Sequence, residues 1–339
     1  MLIRPDDPRI TWQGAISCHR TDEWTQPWRL PYDDLALFPP DALRERAAMP
    51  AGVRISCHSD TTSLVGRIEI AEEEASPIDL LCDGRLHDSV ELAGRDAFEF
   101  RDLPTGEKLL ELWLPQYTEL RLRSLEVSDG ASLSPFEDPR PLWTTYGSSI
   151  THCRAAASPS RTWPAIVARE HGLNLTCLGY GGQCHLDPMI ARLMRDRHAD
   201  FISIKVGINI YGAASLGVRA FRPAVIGFVE TLRERHAEIP IAVISPIFSP
   251  PREDTPNAVE FTLRAMREEV AEAVSAIRER GGANVHYVDG LSLFGAEHAH
   301  MLPDELHPNA EGYETLARNF LREVAAPLFV KEAAKTSSP

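Results

Sequence analysis

The sequence predicts two domains, a β-sandwich followed by a three-layer α/β domain on a parallel sheet. Three observations predict it. Apolar residues tend to alternate between residues 53 and 127, a segment at 134–143 carries three prolines and neither periodicity, and beyond it apolar strands alternate with amphipathic helices. At 339 residues the chain also exceeds what one hydrophobic core usually serves.

In the first half, Val53, Ile55 and Cys57 form one alternating set, Leu110, Leu112 and Leu114 a second, and Leu120 with Leu122 a third. Alternation puts one row of side chains on a buried face and the other in water, the half-buried strand pattern. The third row changes parity at Ser124 and resumes with Leu125 and Val127, so a bulge or a bend there would restore the inward face. Short punctuators at 82–88, 92–96 and 103–107 separate these runs, which suggests a sandwich of about one hundred residues. The expected domains are 1–135 and 136–330, with 331–339 a disordered tail.

The second half changes period. Residues 201–206, FISIKV, make an apolar-rich run suited to a strand buried on both faces, and 239–245 and 285–289 make two more. Val259, Leu263, Met266, Val270, Val274 and Ile277 recur every three or four residues, one face of a long helix that Gly281-Gly282 ends. Tyr313, Leu316, Ala317, Phe320 and Leu321 mark a final helix. In such sheets ligands sit at the carboxyl ends of the strands, so the chemistry is expected in the loops there.

Composition excludes some functions. A formal charge of −14, with no basic stripe, argues against nucleic acid as a partner. No segment approaches the about 18 uninterrupted apolar residues of a membrane span. Pro and Asp interrupt the first residues, so no signal peptide is read there. The six cysteines are scattered and are expected to be free thiols. A cytoplasmic location is the resulting expectation.

Four short segments carry candidate chemistry. In YGSSIT at 146–151, small residues around Ser149 permit a tight turn that exposes its hydroxyl and frees its backbone N–H; a plain loop fits as well. In LGYGGQC at 178–184, Gly181 and Gly182 can aim an N–H at a developing oxyanion, or simply make a turn. In VGINIYG at 206–212, Asn209 can point its amide into the same cleft, or form the turn. In LPDELHPNAEGY at 302–313, Pro308 suits a first helical position, so His307 stands just ahead of the last helix. Asp304 is near enough to accept its Nδ1–H and leave Nε2 as a base; capping the helix is the other reading of Asp304.

Together these segments resemble the SGNH/GDSL hydrolase family, over roughly residues 142–328, with the D-E-L-H-P run the most specific part. The resemblance implies a flavodoxin-like three-layer fold and a serine ester hydrolase or acyltransferase with no metal and no cofactor. It also implies a triad of Ser149, Asp304 and His307, and oxyanion donors from the Ser149 N–H, the Gly182 N–H and the Asn209 side chain, with Gly181 the rival of Gly182. Three supporting carboxylates of the family are replaced, by Ser148, Gln183 and Ile210. A sandwich ahead of the catalytic domain is similar to a branch of carbohydrate esterases and acyltransferase-like members with an N-terminal jelly roll. A small-molecule or carbohydrate ester is therefore the expected partner.

Two rival readings stand beside this one. His152-Cys153 and Cys184-His185 flank the site and suggest a zinc centre or a cysteine nucleophile, but neighbouring residues rarely supply a tetrahedral set. A catalytically dead glycan-binding protein is the alternative of another class. Trp12, Trp24 and Trp28 either line a sugar platform or anchor the N-terminal segment.

Overall fold

The computed structural model describes residues 1–70, 75–282 and 284–330. The tail expected from residue 331 lies outside the described residues.

The first half forms two six-stranded antiparallel sheets. Ile68, Phe98, Leu120 and Leu122 of one sheet and Ile55, Leu80, Leu110 and Leu112 of the other share one apolar interior, which makes the pair a sandwich. The expected bulge is present. Strand Leu120–Val127 shifts register against Leu64–Ile70 between Leu122 and Ser124, so Arg123 is the extra residue and Leu125 and Val127 return to the buried face.

The second half holds a five-stranded parallel sheet in the order Asn174–Gly179, Leu142–Gly147, Phe201–Lys205, Ile241–Ile244, Val285–Val288. In chain order this is 2-1-3-4-5, the flavodoxin-like order, whose switch point lies at the end of the first strand. Ile202 and Ile204 face one helical layer, Phe201 and Ile244 the other, and apolar cores fill both sides.

Several details depart from the sequence reading. The long helix is Leu263–Glu279 and starts after Val259, because Asn257 Oδ1 takes the N–H groups of Val259 and Phe261 in a turn and Thr262 caps the helix. Gly281 ends the helix with φ +90°, as a C-terminal glycine does. The last helix, Ala310–Phe320, starts two residues beyond Pro308 and is capped by Asn309, not by Asp304.

The two halves are fastened together. Leu30, Phe38, Leu43 and Ala47, from the first half, pack with Tyr146, Leu178 and Ile202. Buried Asp79 of the sandwich accepts from Ser158 Oγ, Ser160 Oγ and Ser160 N–H at 2.6, 2.6 and 2.9 Å. The chain that follows Ser149 is thus anchored on the sandwich. All six cysteines are free. Among the described residues no helix is long and apolar enough to cross a membrane.

Candidate active site

Strand Leu142–Gly147 delivers Ser149 to the switch point as the first residue of a short helix, Ser149–His152. Ser148 caps that helix through a bond from the Ile150 N–H, so Ser148 Oγ is turned inward while Ser149 stays half-exposed. The close seat of this helix on the neighbouring strand needs Gly179, where an added Cβ would lie 2.5 Å from His152 N.

His307 Nε2 lies 2.8 Å from Ser149 Oγ, and His307 Nδ1 lies 2.6 Å from Asp304 Oδ2. Since an ionised carboxylate only accepts, Nδ1 carries the proton and Nε2 accepts from the serine hydroxyl. Asp304 Oδ1 also takes the N–H groups of Leu306 and His307, at 3.1 and 2.7 Å, and closes the loop on itself. Burial opposes ionisation of Asp304, but these bonds outweigh it and hold the carboxyl below its usual range. Glu305, inside this loop, sits at φ +60°, and Ser249 Oγ donates to its carbonyl at 2.7 Å. Loop strain of this kind persists only where the surroundings fix it.

The second loop, Tyr180 to Gln183, is a tight turn closed by Gln183 N–H on the Tyr180 carbonyl at 3.0 Å. Gly182 takes the third place with φ +74°, which a type II turn requires. The rival glycines differ in what they offer. Gly181 N–H donates to His152 Nδ1 at 3.3 Å, whereas no partner engages the Gly182 N–H among the described residues. The Gly182 carbonyl is tied to His185 Nε2 at 3.0 Å. Asn209 sits in the first turn of helix Ile208–Ala213 rather than in an open loop, and its Oδ1 accepts Cys184 N–H at 3.0 Å.

The cysteines beside the site are poor nucleophiles. Burial pushes the Cys184 thiol up to about 12 and the Cys153 thiol well above its usual range. Among the described residues no group of three or more His, Cys, Asp or Glu is placed to hold a metal.

One residue had no sequence signal. Arg29 is fully buried and donates to the carbonyls of Met49, Arg46, Cys177 and Gly179, with its guanidinium 5.0 Å from the Tyr180 ring centre. It clamps the strand end from which the Gly181-Gly182 turn springs. An arginine in a polar N-terminal stretch looks like any surface cation, and only the fold buries it.

Residues 145–315 match the GDSL-like lipase/acylhydrolase family, and residues 10–123 match the N-terminal domain of SsfX3. The chain belongs to the GDSL-like lipase/acylhydrolase family. It is similar to the salicylyl-acyltransferase SsfX3 from a tetracycline biosynthetic pathway, at 38% identity and TM-score 0.90, over 96% of this chain and 97% of that one. A Bacteroides ovatus protein described as a GDSL-like lipase shares 21% identity, TM-score 0.80, over 98% and 99% of the two chains. A family two carbohydrate esterase from Cellvibrio japonicus shares the fold at 16% identity, TM-score 0.66, over 96% and 97%. Among curated protein sequences none matches.

Proposed function

We propose that the chain is a serine ester hydrolase that works through an acyl-enzyme on Ser149. The observation that carries this is the continuous relay from Ser149 Oγ through both ring nitrogens of His307 to Asp304 Oδ2. His307 Nε2 takes the hydroxyl proton as Oγ attacks an ester carbonyl. Asp304 holds the tautomer and stabilises the imidazolium. The oxyanion is met by the Ser149 and Gly182 N–H groups and by Asn209 Nδ2. The imidazolium then protonates the departing alcohol, and water activated by the same ring clears the acyl group. None of these steps calls on a metal or cofactor.

Transfer to a second alcohol is the other reading, and the 38% identity to an acyltransferase over nearly the whole chain favours it. The exposure of the relay favours water: the His307 and Asp304 side chains are 34% and 54% exposed. A sugar or glycoside ester is the proposed substrate class, supported by the sandwich and by the shared fold of carbohydrate esterases. Six free thiols fit a reducing compartment, which supports a cytoplasmic site of action. An ester panel assayed with and without alcohol acceptors tests the proposal. Free acid as the main product in both arms supports hydrolysis, a new ester supports transfer, and no turnover of any ester leaves the glycan-binding alternative.

A further inference from the structure

His152 is fully buried, three residues after Ser149, and the reaction as described does not use it. Its ring lies between two backbone groups of different origin. On one side Nε2 is 2.8 Å from the carbonyl of Gln116, which follows strand Lys108–Trp113 of the sandwich. On the other, Nδ1 is 3.3 Å from the N–H of Gly181, in the turn that presents Gly182.

The two contacts fix the tautomer. Gly181 can only donate, so Nδ1 carries no proton; a neutral ring then has its hydrogen on Nε2, which donates to Gln116. Arg29 Nη2 also approaches Nε2, at 3.2 Å, but two donors cannot share one hydrogen bond. Four of the five guanidinium hydrogens go to carbonyls; the Nε2–H tautomer satisfies both Gln116 and Gly181, whereas the Nδ1–H tautomer would satisfy Arg29 alone. Burial first, and then Arg29, hold the imidazole well below its usual range, so the ring is neutral at ordinary pH. The ring centre of Tyr117 lies 4.9 Å away and closes the pocket.

We infer that His152 is a positioning residue that sets the Gly181-Gly182 turn from the sandwich domain. Its Nδ1 pins the Gly181 N–H, so the next N–H, that of Gly182, points into the cleft. The inference rests on the reading of Gly182 as an oxyanion donor. It gives the sandwich a part in rate as well as any part in recognition.

Two substitutions separate the contacts. His152→Asn places an acceptor where Nδ1 lies and keeps the Gly181 bond. His152→Gln places a donor where Nε2 lies and keeps only the Gln116 bond. The expected result is that His152→Gln loses about 100-fold in kcat with KM within about threefold, whereas His152→Asn stays within about tenfold of the parent. Equal losses in both variants, a better rate in His152→Gln, or losses confined to KM would overturn the inference. The unaltered protein offers a check that needs no variant to fold. Nitrogen NMR of the histidine rings, with the signal assigned through its contact with Tyr117, should show a neutral Nε2–H ring that does not titrate between about pH 5 and 8. An Nδ1–H ring, which cannot accept from Gly181, would contradict it. Covalent labelling of Ser149 is read in parallel, because its absence from the parent protein marks failure of the acyl-enzyme reading and not of the His152 role.

Discussion

Asn209 Oδ1 accepts the backbone N–H of Cys184 at 3.0 Å, and that bond decides which way the amide faces. With the oxygen engaged, only Nδ2 is left to donate, and in the proposed mechanism it meets the substrate oxygen. Its hydrogen bond strengthens only as charge develops on the substrate oxygen. Asn209→Ala should therefore lower kcat by about 10²–10³ with little change in KM. Steady-state kinetics check this, and a change confined to KM would move Asn209 to substrate binding.

Asp304→Asn should lower kcat by about 10³–10⁴, because an amide donor facing Nδ1 moves the ring proton to Nε2, where it can no longer accept from Ser149. The stability effect follows from the lowered pKa of Asp304. A depressed carboxyl stabilises the fold above the unfolded value, about 3.9, and loses that contribution as pH falls through its own lower value. Urea unfolding of both proteins should show a difference near pH 7 that shrinks below about pH 4.

Lys205, at the end of the third parallel strand, is buried without a carboxylate partner among the described residues, and burial pushes its ammonium from 10.5 down to about 8. Below pH 8 the charge is carried in both states and the fold bears its full desolvation cost. Between 8 and 10.5 the folded state binds fewer protons than the unfolded one, so stability rises with pH. Lys205→Met should then be more stable than the parent at pH 7 by about 3 kcal/mol, with the gap closing above about pH 10. A constant gap, or a less stable variant, would show that the ammonium is matched in the fold.

The sequence showed much of this fold where pattern and chemistry agree. The bulge near Ser124, the glycine stop at Gly281 and the three runs ending near 206, 245 and 289 were all legible as period or punctuation. Strands Leu142–Gly147 and Asn174–Gly179 were not, because Thr144, Thr145 and Thr176 interrupt any apolar run though all are buried. Helix Val218–Arg233 was hidden by Pro223, an internal breaker that the fold tolerates. Ser149, Asp304, His307, Gly182 and Asn209 stood out through local motifs. Arg29 could not, since its four carbonyl partners come from two segments far apart in sequence, 46–49 and 177–179.

That distribution of partners bears on the first half of the chain. A chain shortened to begin at residue 136 would lose Arg29 with its carbonyl bonds, and Leu30, Phe38, Leu43 and Ala47 from the catalytic core. It should fail to give a cooperative unfolding transition. In the full chain, Arg29→Met should cost about 2–5 kcal/mol in urea unfolding, since buried carbonyls are left unpaired. A folded, soluble, fully active shortened chain would show that the second half is self-sufficient.

The acyl-enzyme claim is tested most directly by a serine-directed phosphonate followed by mass spectrometry of the labelled peptide. Two adjacent serines compete for the assignment, and their geometry differs. Ser149 Oγ meets His307, while Ser148 is buried and caps the helix. The adduct should lie on Ser149, vanish in Ser149→Ala and persist in Ser148→Ala, which loses only about 0.5–2 kcal/mol of stability as a lost cap does. An adduct on Ser148 or on a cysteine, or esterase activity surviving in Ser149→Ala, would contradict the assignment of Ser149 as nucleophile.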